Sequence, residues 1–290
     1  FRKLAMNDSS WCFMDGNANV VRAYDSSTGI PLPLEYVNAK GSGGLSSTAE
    51  DLCRFSKAMY SDVLFKASTL AEFKLPQYGP QTVPEGLPFD KYGLGWDSVS
   101  VDWFQKQGVT VMAKNGGAME FSSQIHVAPE ERLSCAVILS GGRADSNAIN
   151  QAVMQALLEG KGILPEHVDP VTPIPATIPI PDELMPFEGY YGSKNSIASI
   201  EFDRIGNRMN IYHYGNGVFS LKYQYPYVEG GYFYEDEKKS LTLSENFGRK
   251  FLIVHTAGSD GVSIRLESLP ALAPGTDGSA FDGKTWLPRN

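Results

Sequence analysis

The stretch Ala113-Lys114-Asn115-Gly116-Gly117-Ala118, followed at once by Phe121-Ser122-Ser123-Gln124-Ile125-His126-Val127, reads as a strand bearing a cation that turns into a second strand. Its chemistry suits acyl transfer. Lys114 offers a positive charge to a carboxylate, or to a base that must stay deprotonated. Asn115 adds a hydrogen-bonding side chain, and Gly116 leaves no Cβ in the path of a substrate lying alongside. A strand-end lysine taken alone is an ordinary solvated charge, so its surroundings decide the reading.

Those surroundings repeat a known order. Lys3-Leu4-Ala5-Met6-Asn7-Asp8-Ser9-Ser10 resembles a "PLGM-x-DT" passage, and Arg22-Ala23-Tyr24-Asp25 an "A-x-GYD" one. The run from Gly43 to Phe55 resembles the helix entry "GGL-x-STA-x-DLARF", and Tyr92-Gly93-Leu94-Gly95-Trp96 the strand "YGLGW". With Lys114-Asn115-Gly116 in the place of Lys-Thr-Gly, the chain resembles the penicillin-recognising serine hydrolases: class C β-lactamases, DD-peptidases, D-aminopeptidases and related esterases. The likeness covers roughly residues 1 to 165.

The resemblance implies roles. Lys114 would supply potential at the site, and the backbone N–H of Gly117 one of two oxyanion donors, so these two are the catalytic candidates. Asn115, Gly116, Phe121 and Ser122 would contact substrate, Asn115 standing where the family carries threonine. That exchange speaks against β-lactamase specificity.

The nucleophile is the missing part. No lysine of the chain has a serine three residues before it, so the family's Ser-x-x-Lys has no counterpart here. Tyr36-Val37-Asn38, Ser193-Lys194-Asn195 and Ser244-Glu245-Asn246 fit the letters of the family's second element but stand in the wrong order. The expectation is therefore the later part of such an enzyme, truncated or paired with an N-terminal fragment on another polypeptide. Phe1 at the start and Trp286-Leu287-Pro288-Arg289-Asn290 at the end fit truncation. The function expected is part of a serine hydrolase acting through an acyl-serine on small-molecule or peptide amides and esters. The alternative is a non-catalytic binding or regulatory module, which leaves enzyme status open.

Composition narrows the partners. A net charge of -8 opposes a nucleic-acid groove, and no apolar run is long enough for a membrane span. The four histidines are scattered, and Cys12, Cys53 and Cys135 lack Cys-x-x-Cys spacing, so neither a metal, another cofactor nor a disulfide framework is expected. Family habit favours an extracytoplasmic location. His126 alternates along a strand and reads as a packed core residue, as do the two thiols Cys53 and Cys135.

The elements that must position these residues follow from periodicity. Periodicity alone supports α+β; the resemblance implies an antiparallel sheet flanked by helices, as in part of a β-lactamase/transpeptidase fold, and the fold class expected is completed by a small all-β lipocalin-like barrel. The strands of the sheet are Val109–Lys114, Ser122–Ala128 and Leu133–Leu139. A capping box from Ser47 to Glu50 opens a helix to Met59, and a second helix over Asp145–Glu159 would pack through Ile149, Ala152, Val153, Ala156 and Leu157. Seven prolines between Pro165 and Pro186 mark a linker, dividing domain 1–164 from domain 187–290. Beyond it, short strands with turns every 8 to 12 residues, roughly, suggest the barrel, where nine of fourteen tyrosines fall.

Overall fold

A computed structural model describes residues 1–11, 19–34, 37, 41–78, 91–118, 120–141, 144–164, 174–193, 196–237, 239–246, 248–256 and 261–270. Cys12, residues 165–173 of the linker, the closing residues 286–290, and parts of the Tyr36-Val37-Asn38 and Ser193-Lys194-Asn195 triplets lie outside the described residues. Two compact units divide these residues: one takes described residues of 1–176, 234–242 and 253–264, the other those of 177–233, 243–252 and from 265 onward.

Strands β1 (Met112–Ala118), β2 (Phe121–Ala128) and β3 (Leu133–Ser140) form an antiparallel sheet in the order β1-β2-β3. β1 starts later than the valine-rich run suggests, because Val109 and Val111 are already buried in the core before the ladder begins. It then continues through both glycines, since β2 pairs them, Gly116 with Ser123 and Gly117 with Ser122. Side chains alternate across a strand, so each face of this sheet has its own core. One face packs Met112, Ile125 and Val127 with Ala58, Met59, Trp96 and Val99. The other packs Val111, Ala113, Ala128 and Cys135 with Phe104, Met154 and Leu158.

Helix α1 (Ala49–Ser56) is capped differently from the expectation. Thr48, not Ser47, is the N-cap, and its Oγ1 accepts the N–H of Asp51 at 3.1 Å. Ser47 instead shares a 2.8 Å hydrogen bond with Ser9, and Glu50 pairs with Arg54 rather than reaching back. Asp51 is fully buried and accepts from Asp8 N–H, Ser9 Oγ and Arg54 Nη1. Burial alone would push this carboxyl up, but hydrogen bonds from Ser9, Arg54 and Asp8 outweigh it and hold it below the usual range. The N-terminal segment is thereby tied to the start of α1. Two short helices absent from the sequence reading follow, α2 (Ala67–Phe73) and α3 (Asp102–Gln105).

Helix α4 (Ser146–Gly160) lies on β2 and β3 with the opposite face inward from the one expected. Ile149, Val153 and Leu157 remain 37–41% exposed, and Ala152 and Ala156 are exposed as well. Asn150, Gln151, Met154 and Leu158 are buried instead. Asn150 Nδ2 faces His126 Nδ1 and the Cys135 carbonyl beneath the helix, which offsets part of the cost of burying that amide, while Asn150 Oδ1 and Gln151 Oε1 are buried without a partner among the described residues.

Eight further strands close into a ring: β4 (Gly189–Ser193), β5 (Ser196–Asp203), β6 (Arg208–Gly215), β7 (Val218–Val228), β8 (Tyr232–Asp236), β9 (Lys239–Asn246), β10 (Arg249–Thr256) and β11 (Gly261–Ser268). β4 is the strand missed in the sequence, being five residues long and holding two glycines. Arg265 of β11 donates to Tyr225 of β7 at 2.7 Å, and these strands stand four places apart either way round the ring. The contact therefore crosses the interior, with the guanidinium over the stacked rings of Tyr223 and Tyr225. No helix among the described residues is long and apolar enough to cross a membrane.

Candidate active site

The outer edge of β1 is where the chemistry-bearing residues collect. Ala113 exchanges backbone hydrogen bonds with Ser98, so its N–H and C=O point away from β2. Alternation carries the backbone groups of Asn115 and Gly117 to the same edge. At Asn115 the edge leaves the backbone partner behind, and the N–H donates instead to Asp97 Oδ2 at 2.6 Å.

Asp97 is held there by the turn before it. Gly93 N–H donates to Trp96 O, and Gly95 sits at φ 75°, a left-handed conformation that favours glycine. Trp96 anchors the turn in the core, and Asp97 N–H then bonds Ala113 O at 3.0 Å. The carboxylate faces Lys114, whose Nζ lies 3.0 and 3.1 Å from its two oxygens. The same ammonium donates to Asn115 O at 2.7 Å and to Asn115 Oδ1 at 3.3 Å. Tyr92 completes the group: burial, then the charge of Asp97 and a hydrogen bond to it, push the phenol up, so it stays a proton donor to that carboxylate. Tyr78 meets the Tyr92 ring edge-on at 6.3 Å.

Lys114, Asn115, Gly116 and Gly117 thus lie together as consecutive positions of one edge strand. A Cβ at Gly116 would come within 2.5 Å of Ser123 Oγ, so any larger residue there would press on that hydroxyl and make it turn away. A Cβ at Gly117 would come no nearer than 3.8 Å to Phe121 O, which leaves the space beside that exposed residue open. Phe121 is half-buried and pairs with Ala118 at the hairpin end. Ser122 is drawn elsewhere: its Oγ is 2.5 Å from Ser146 Oγ at the start of α4, on the face opposite the Lys114 side chain. The structure does not bring Ser122 to Lys114.

Asp97 is the residue the sequence reading missed. It directly follows the Tyr92–Trp96 passage already singled out, and a cation on the neighbouring strand was reason to look for an acid beside it. The positive charge of Lys114 is thus paired with Asp97 at contact distance.

His126 is buried under α4, with Asn150 Nδ2 2.9 Å from its Nδ1. Burial lowers its pKa to about 4, a hydrogen bond with Asn150 opposing this in part, so the ring is neutral near pH 7. Cys53 and Cys135 are free thiols, Cys135 pushed up to about 12 chiefly by burial. Among the described residues no group of three or more His, Cys, Asp or Glu could hold a metal ion.

Neither a family model nor a curated protein matches the chain. Among solved structures, it is similar to the octameric penicillin-binding protein homologue from Pyrococcus abyssi, at 17% identity and a TM-score of 0.47, over 92% of this chain and 57% of that one. It is also similar to SurE, at 13% identity and a TM-score of 0.45, over 92% of this chain and 60% of that one. For SurE with D-Leu the values are 16%, 0.40, 78% and 49%. The chain thus spans less than two thirds of the length of these solved structures.

Proposed function

We propose that this chain is part of a serine hydrolase of the β-lactamase-related type, acting through an acyl-serine on amide or ester substrates. The observation that carries the reading is the edge of β1, where a lysine ammonium, an asparagine side chain and the outward backbone of Gly117 come together within four residues, with nothing among the described residues beyond its chain neighbours nearer than 3.8 Å to where a Cβ on Gly117 would sit. In this reading Lys114 supports the catalytic base, and Gly117 N–H is one of two donors to the oxyanion. Asn115 and Gly116 line the acyl group, with Phe121 at the rim and Ser122 turned toward α4. The three-stranded sheet with its helices is then a portion of a transpeptidase-like domain, and the eight-strand ring a lipocalin-like accessory barrel following the proline-rich linker.

The Ser-x-x-Lys nucleophile has to come from polypeptide outside these 290 residues. The exposed apolar stripe of α4 suits a companion segment packing there. A second reading, a non-catalytic binding or regulatory module, is favoured by the same missing nucleophile.

Intact-mass spectrometry of purified material, before and after a fluorophosphonate, separates the two. An adduct on a serine of a companion or longer polypeptide supports the hydrolase, and Lys114→Ala in that assembly should cut turnover by about tenfold or more. No adduct in any form carrying a Ser-x-x-Lys segment would leave the binding module.

A further inference from the structure

We infer that Asp97 sets the substrate class of this site, turning the β1 edge away from carboxylate-bearing acyl groups and toward neutral or amine-bearing amides and esters. The inference rests on the reading of that edge as an acyl-transfer site. An ammonium has three protons to give. Those of Lys114 already face both Asp97 oxygens, the Asn115 carbonyl and, at longer range, the Asn115 side chain. An incoming carboxylate would have to displace one of these partners.

Asp97 does not swing aside easily, because Asn115 N–H at 2.6 Å and the Tyr92 hydroxyl hold the same carboxylate. A substrate anion seated at Lys114 Nζ would also lie close to Asp97, where like charges repel at partly screened strength. A positive and a negative charge 3.0 Å apart present a dipole, whose reach is short, rather than a net cation. For a neutral carbonyl the balance differs: of the groups on this edge its oxygen turns to the Gly117 N–H and not to the Lys114 ammonium that Asp97 holds. An amine on the substrate gains from the exposed side of the Asp97 carboxylate.

The test follows the amide signals of Gly116 and Gly117 by NMR in the 290-residue chain, with N-acetylglycine as the anionic probe and N-acetylglycinamide as the neutral one. In the parent, the Gly117 amide should respond to N-acetylglycinamide and hardly to N-acetylglycine. Asp97→Asn keeps the size of the side chain and an acceptor for Asn115 N–H while freeing Lys114. It should bind N-acetylglycine about tenfold or more tighter than the parent. Adding Lys114→Met to Asp97→Asn should abolish that gain, which a merely loosened edge would not do. If parent and Asp97→Asn bind N-acetylglycine equally to within about twofold while Gly117 still responds to the neutral probe, the role of Asp97 is overturned and the acyl-transfer reading stands. If neither probe moves Gly116 or Gly117 in any variant, both fall together.

Discussion

Lys114 and Asp97 keep 39% and 23% of their side chains exposed, so their pairing adds about 1 kcal/mol or less to stability. Its importance is geometric, in fixing where an ammonium points. Gly116 is fixed by sterics instead. Gly116→Ala should destabilise the chain by about 1 kcal/mol by pressing a Cβ on Ser123 Oγ, and Ser123→Ala should restore most of that loss. Urea unfolding of the single and double variants measures this, and equal stabilities would refute the contact. His126 gives a pH dependence with a definite sign. Its folded pKa of about 4 lies below the ordinary 6.5, so between these values the unfolded chain takes a proton that the folded one refuses. This contribution is complete above pH 6.5 and shrinks as pH falls toward 4, by on the order of 3 kcal/mol. Unfolding free energies at pH 7, 5.5 and 4 should therefore fall more steeply in the parent than in His126→Gln, and parallel curves would sink the assignment.

The start of α1 is the most testable of the elements. Thr48→Ala should cost about 1 kcal/mol through the lost cap, and Ser47→Ala less, since Ser9 keeps its bond to Asp51. The reverse ranking in denaturant midpoints would restore Ser47 as the cap. Such details show what the sequence could and could not reveal. The three strands of the sheet and the helices α1 and α4 were legible, because apolar spacing reports burial at the level of whole elements. The inward face of α4 was not, because Asn150 is buried there beside His126 of β2 and the Cys135 carbonyl of β3, which only tertiary packing brings near. The candidate site was legible where its residues are consecutive, Lys114 to Gly117, and illegible where Asp97 reaches it from 18 residues before Asn115. Strand β4, too short and too rich in glycine to show a pattern, becomes recognisable only once β5 pairs with it.

At the scale of the whole molecule, the contact between Arg265 and Tyr225 ties opposite sides of the eight-strand ring. Arg265→Met should lower its stability by about 1–3 kcal/mol, and Tyr225→Phe, which keeps the ring face, by about 1 kcal/mol. Circular dichroism through a urea titration would register both, and a silent Arg265→Met would mean that the interior holds without this crossing. The other assembly in the chain, the sheet, ends in an edge strand, and edge strands are templates for strand-to-strand aggregation. On β1 the outward groups of Ala113 are taken by Ser98, and those of Asn115 by the side chains of Asp97 and Lys114. A foreign strand arriving there meets Gly117 next, one position where a ladder needs several in succession. The ion pair is thus also a guard against self-association, set on the edge that would have to stay open for a substrate in the proposed reading.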